Sequence, residues 1–283
     1  MRTAFRLISA AILLAYAGSA FTAQGQQTEN RPELLVQGQA VLNRAVTIQA
    51  QNRTGEIVDL MVDPATGHIG FALLSFSGFM GLVSKNVIAP IPWAQVEFEP
   101  RQKTFVARGI GSGKDGGDIV EYDEDKWQVF DEAELASLYE SYALENHAQE
   151  TRKAYSEIAG EDKAASQRLS MLQLTRLINA PVMSREGALL GYVDKLYLDL
   201  TGGLIRLVDV RTPGDRLEQP AHLVPYPLLD YDWVAGRFTL DVSRKDQARL
   251  EDFPVHAGMY VQAETMRQIY RNMGLAEYLR VGG

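Results

Sequence analysis

Apolar residues fall in short runs closed by turn formers along most of this chain. Ile57 to Val62 and Ile69 to Phe76 have the length and β-branched content of buried strands. Between them, Asp63-Pro64-Ala65-Thr66-Gly67 predicts a hairpin turn. Asp63 can accept from the backbone two residues on, Pro64 presets φ, and Gly67 takes the positive φ that such a loop requires. Val87 to Ile91, Val96 to Phe98 and Thr104 to Val106 predict further strands. Pro90 and Pro92 donate no ladder hydrogen bond, which assigns that segment to an edge or a corner. The period then changes. Asp131 is placed as an N-cap with Glu134 as its capping-box partner, and Leu135, Leu138, Tyr139 and Tyr142 fall on one helical face. Met266, Ile269, Tyr270 and Met273 repeat that face near the C-terminus, stopped by Gly274.

The hairpin itself recurs. Gly55, Leu60, Asp63, Gly67 and Ile69 return as Gly191, Leu196, Asp199, Gly203 and Ile205, all at an offset of 136 residues. Ile57 and Val62 are answered by Val193 and Leu198, and Pro90-Ile91-Pro92 by Pro225-Tyr226-Pro227. Asp63, Pro64, Gly67, Asp199 and Gly203 are therefore read as structural turn residues of a tandem duplication. The expected organisation is a signal peptide over 1–20, a disordered leader over 21–33 and a first β module over 34–110. A Gly-rich connector, helix and linker over 111–165, a second module over 166–254 and a helical tail over 255–283 follow. Charged and Gly-rich linkers between the modules predict that each folds alone.

The motif carries a resemblance. Gly55-x-Ile57-x-Asp59 runs through the hairpin into Phe71-Ala72-Leu73-Leu74-Ser75-Phe76-x-Gly78-Phe79-x-Gly81-Leu82, and Pro90-Ile91-Pro92-Trp93 follows. The second copy is similar over Leu177 to Val182, Gly187, Gly191 and Asp199, ending in Ser243-Arg244-Lys245-Asp246 with Leu250 and Phe253-Pro254. It departs at Lys195, which stands where the first has Asp59, and at Arg211 to Asp215 in place of the Phe/Gly-rich loop. Both copies resemble the PRC-barrel domain, known from the photosynthetic reaction centre H subunit. The resemblance implies a mainly β fold with α: two tandem small antiparallel β-barrels, each followed by an amphipathic helical extension. It brings no shared catalytic residues. By likeness to the H subunit it implies a protein partner at or near the inner membrane.

Composition places the modules outside the cytoplasm. Arg2 and Arg6 precede an apolar run from Leu7 to Ala17, and Gly18-Ser19-Ala20 supplies the small residues of a cleavage site. Leu7 to Ala23 is uncharged but shorter than the roughly 20 residues of a membrane span. A cleaved signal is the expectation, and a retained anchor the alternative; the processed chain is expected not to span the membrane. The chain has no Cys, so disulfides, thiol chemistry and a lipidated N-terminal Cys are excluded. Its net charge of −8 argues against nucleic acid. A periplasmic location is expected.

No motif supplies catalytic chemistry. Gly111-Ser112-Gly113-Lys114-Asp115-Gly116 satisfies G-x-G-x-x-G, but acidic residues surround it and no strand-turn-helix context is evident. His68, His147, His222 and His256 lack metal-ligand spacing, and Asp115, Asp118, Asp123, Glu124 and Asp125 lack the calcium-loop pattern. Asp59 and Asp63, read as sharing one face of a strand about 13 Å apart by strand rise, are too far apart for paired glycosidase carboxylates. The expectation is a non-enzymatic adaptor or assembly factor without cofactor or metal. The alternatives are a hydrolase-like enzyme with a cleft between the modules, or a small-ligand or metal sensor. One segment is singled out for protein binding: the loop of Phe76, Phe79, Met80 and Leu82, apolar and flanked by glycines.

Overall fold

The computed structural model describes residues 34–76, 87–99, 104–110, 120, 122–123, 129–142, 144, 147–159, 169–214, 221–241, 254–255 and 260–281. The signal peptide, the leader, the G-x-G-x-x-G loop and Phe79, Met80 and Leu82 lie outside these residues. The first copy contributes β1 (Leu34–Gln37), β2 (Ala45–Ile48), β3 (Arg53–Asp63), β4 (His68–Phe76), β5 (Val87–Pro92), β6 (Val96–Glu99), β7 (Thr104–Ala107), β8 (Tyr122–Asp123) and β9 (Val129–Phe130). Helices α1 (Glu132–Ser141) and α2 (His147–Ala159) follow. The second copy contributes β10 (Met171–Gln173), a short α3 (Leu174–Leu177), β11 (Pro181–Ser184), β12 (Leu189–Asp199), β13 (Leu204–Arg211) and β14 (Ala221–Pro225). It ends with β15 (Leu229–Asp232), β16 (Arg237–Leu240), β17 (Pro254–Val255), β18 (Tyr260–Gln262) and α4 (Ala263–Asn272). The protein is mainly β with helices, in one large mixed sheet.

Within each copy six strands are paired in the same way. β3 and β4 form the long hairpin, β5 extends it, and β2 pairs with β3 on the other side and, in parallel, with β7. β6 pairs with β7. β11 to β16 reproduce every step, including the parallel β11–β16 pair. Among the described residues β8 pairs with Val87 and Ile88 of β5, while Pro90 and Pro92 lie further along the strand, opposite Leu73 and Phe71 of β4. Asp131 caps α1 as expected: its carboxylate accepts from Ala133 N and Glu134 N, and Glu134 accepts from Asp131 N. Leu135, Leu138, Tyr139 and Tyr142 are all buried.

The two copies exchange their leading strands. β1 opens the first copy but pairs with β12 of the second, Val36 opposite Leu198, and β18 pairs with its other edge. β10 opens the second copy but pairs with β3 of the first, Leu172 opposite Val62, with β9 beyond it. Each of these residues is displaced by 136 from its counterpart, so the exchange is isologous, as in a two-fold dimer. Cores follow the same logic. Leu35 of β1 is buried with Tyr197, Leu207, Ile269 and Tyr270 of the second copy. The largest buried cluster holds Phe71, Leu74 and Phe130 together with Met171, Tyr226 and Phe238. The largest buried cluster thus spans both copies, and neither copy completes its sheet without a strand from the other.

Candidate functional site at the crossed turns

The residues singled out as turn formers meet one another. The β3–β4 turn and the β12–β13 turn cross, with Leu204 paired to His68. Ile69 N donates to Gly203 O at 2.8 Å, and Ile205 N donates to Gly67 O at 2.9 Å. Both glycines have positive φ, +77° at Gly67 and +62° at Gly203. Each lies under an aromatic ring from the opposite copy. A Cβ on Gly67 would stand 2.9 Å from Tyr226 Cδ1, and one on Gly203 would stand 2.9 Å from Trp93 Cδ1. Those rings also bond the turns they cover. Tyr226 Oη donates to Pro64 O at 2.9 Å, and Trp93 Nε1 donates to Leu200 O at 3.2 Å. Trp93 and Tyr226 each follow the last proline of their strand, β5 and β14, and start a 3-10 turn.

The turn aspartates are also matched, with different cations. Asp63 is fully buried and binds Arg152 of α2, itself 7% exposed, as a fork. Arg152 Nε donates to Oδ2 at 2.7 Å and Nη2 to Oδ1 at 2.8 Å. Ala65 N and the Thr66 hydroxyl supply two more donors. Asp199 instead takes Arg206 from the adjacent strand, through Nε at 3.2 Å and Nη2 at 3.0 Å. Arg206 also donates to Tyr278 O and Val281 O, holding the C-terminal segment. The position equivalent to Arg206 in the first copy is Gly70. Met171 packs there so closely that a Cβ would meet its sulfur at 2.5 Å, and the cation comes from the inter-copy helix instead. Tyr139 Oη, 3.2 Å from the same point, is buried and has no hydrogen-bond partner among the described residues. Burial, and then the charge of Asp63, hold its phenol well above the ordinary range. Its counterpart Tyr270 donates to Arg206 O at 2.7 Å.

Asp59 and Asp63 are brought to separate tasks. The alternation that would place them on one face is broken by an irregularity between Met61 and Val62. Asp59 accepts from Leu60 N, from Thr175 N and from the Thr175 hydroxyl at the start of α3. Burial raises its pKa against these bonds. The two acids thus fasten α2 and α3, the two helices flanking the entry into the second copy. Lys195, in the place of Asp59, lies 3.3 Å from Asp209 and 3.4 Å from Asp194, and Asp194 also binds Arg211. Asp209 is nonetheless shifted upward by burial, with Lys195 opposing. These acids are acceptors for fixed donors of the fold, an arrangement that joins segments. Among the described residues no group of His, Asp and Glu converges as a metal site.

The proposed binding loop is only partly in view. Phe76 is 3% exposed, the last residue of β4, with the Arg53 guanidinium 3.9 Å above its ring. It anchors the base of the loop. Sequence reasoning missed Arg152, Arg206, Thr175 and the pair Trp93 and Tyr226. The last two carried a signal, an aromatic after the closing proline in both copies; Arg152 carried none.

A PRC-barrel domain model matches residues 43–123 and again residues 170–247. The chain belongs to the PRC-barrel domain family, in a tandem arrangement. No match was found among curated proteins.

Proposed function

We propose that this protein is an exported, non-catalytic adaptor or assembly factor of the periplasm, built from two small, mostly antiparallel barrels each with one parallel pair, and docking a protein partner through one connection of the first. In each copy the six paired strands would close as a barrel. The first and last of the ladder, β5 and β6 or β14 and β15, are consecutive through a 3-10 turn.

One observation carries the adaptor reading. The strands flanking the β4–β5 connection are paired like those flanking β13–β14, Phe71 opposite Pro92 and Leu207 opposite Pro225. The connections nevertheless differ in kind. The first contains Phe79, Met80 and Leu82; the second contains Asp215, Arg216 and Glu218. Equivalent frames do not require this difference, so it is assigned to binding. Met adapts to a partner's shape, and the flanking Gly78 and Gly81 leave the backbone free to adjust. The acidic balance and the family's reaction-centre member favour a protein partner at or near the inner membrane over nucleic acid.

The test is a photo-reactive amino acid placed in the full chain in living cells, at Met80 and, as a control, at Val234, which is 99% exposed. A discrete cross-linked product at position 80, absent at 234 and lost with Phe79→Ser, is expected. Identical patterns at the two positions, or adducts unaffected by Phe79→Ser, would discard the docking role.

A further inference from the structure

The slot that receives β1 is defined mostly by backbone. Leu34, Leu35 and Val36 face Gln262, Val261 and Tyr260 on one edge, and Val36 and Gln37 face Leu198 and Tyr197 on the other. Its main side-chain demand is an apolar residue at position 35, buried under α4. The strand in the equivalent slot of the first copy is closely similar, Met171-Leu172-Gln173 against Leu35-Val36-Gln37. The slot therefore recognises a short apolar strand and has no feature that identifies the chain supplying it. The segment joining β1 to its own copy, residues 38–44, is short. It holds a 3-10 turn and Asn43 at φ +60°, in the left-handed region. Its counterpart Asn179 has φ +63°.

We infer that the slot between β12 and β18 also accepts β1 of a second copy of this chain, giving a reciprocal two-chain species. Every strand pair of the single chain is retained in it, so the two forms differ in the path and local bonds of residues 38–44 and in the entropy of association. A short hinge favours such exchange. A tethered strand has an effective concentration on the order of millimolar, so dilute chains keep β1 in cis. Chains folding at high local concentration exchange. The product persists on dilution, because β1 must be drawn out from between two paired strands before it can return.

The absence of cysteine makes the test direct. Val36 and Leu198 are opposed across an antiparallel pair, where Cα separations of about 4.5–5.5 Å lie within disulfide range. Full-length Val36→Cys and Leu198→Cys chains are mixed in denaturant, refolded together at roughly 1 μM, far below the crossover, and roughly 500 μM, close to it, and oxidised. A disulfide joining position 36 of one chain to position 198 of the other, at least tenfold more abundant at the higher concentration, is expected. The chain carrying both substitutions should close the same disulfide within itself at 1 μM. Closure in cis with no mixed product at either concentration would overturn the exchange, and failure to close in cis would overturn the slot. Because Leu198→Cys could weaken the core, the unsubstituted chain is also refolded at both concentrations and sized. A dimer formed only at the higher one and surviving dilution supports the inference; a monomer at both overturns it.

Discussion

Replacing Arg152 by Met tests whether α2 is fastened through one buried ion pair. The substitution keeps an unbranched apolar stem and removes the fork that binds Asp63. Asp63 is left fully buried with Ala65 N and the Thr66 hydroxyl as donors and without its cation. Breaking a buried pair from one side costs about 3–5 kcal/mol, because the remaining charge stays desolvated. At about 2–4 °C per kcal/mol for a unit of this size, the melting temperature should fall by about 6–20 °C. Urea unfolding followed by tryptophan fluorescence reads the same loss as a lower midpoint with an unchanged slope. Arg152→Lys should fall between, since an ammonium restores charge but not the two-pronged geometry. Asp63→Asn combined with Arg152→Met should be less damaging than Arg152→Met alone, as no bare charge is then buried. A loss below about 1 kcal/mol for Arg152→Met, the range of exposed pairs, would show that α2 is held by other contacts and refute the reasoning.

Tyr226→Phe leaves Pro64 O without its ring donor and should cost about 1–3 kcal/mol in urea midpoint; no measurable change would mean that the crossed turns do not depend on that bond. Gly203→Val, at φ +62° and under Trp93, should abolish a stable fold or shift Trp93 emission strongly, whereas the same change at Gly236, open on all sides with φ +61°, should show backbone strain alone. Asp59 has a raised folded pKa, so the folded state binds more protons between the two pKa values and stability falls as pH rises through that window. Comparing urea midpoints from about pH 4 to pH 7, Asp59→Asn should flatten this decline, with Asp209 still contributing in the same direction; an unchanged slope contradicts the assignment. Intact-mass analysis of the exported protein should find Phe21 as the first residue, and retention of residues 1–20 would favour the anchor.

The duplication was legible because it is a matter of spacing. Turn chemistry at Asp63, Pro64 and Gly67 is local, and a fixed offset to Asp199 and Gly203 needs no knowledge of the fold. The capping box at Asp131 and Glu134 was readable for the same reason. Strand exchange was not. Leu35-Val36-Gln37 announces an apolar strand, but nothing in three residues states which of two similar sheets will receive it. Linker composition predicts independent folding, but it records how far the copies are separated along the chain and not whether they touch. Arg152 lay hidden in a charged, Ala-rich segment where most arginines face solvent. Gly70, a small residue where the second copy has its own arginine, points to a cation from elsewhere only once Asp63 is known to be buried, so by itself it carries no signal.

The exchanged leading strands bear on how such a gene can change. A tandem repeat with self-contained units can lose one copy and leave a working remainder. Here, deletion of either half would strip the survivor of β1 or β10 and expose the edge of β12 or β3. Once exchange is established, the copy number is locked against single-step reversal. The two halves are then free to diverge at positions such as Gly70 and Arg206, because neither needs to perform the other's role and neither can be dispensed with.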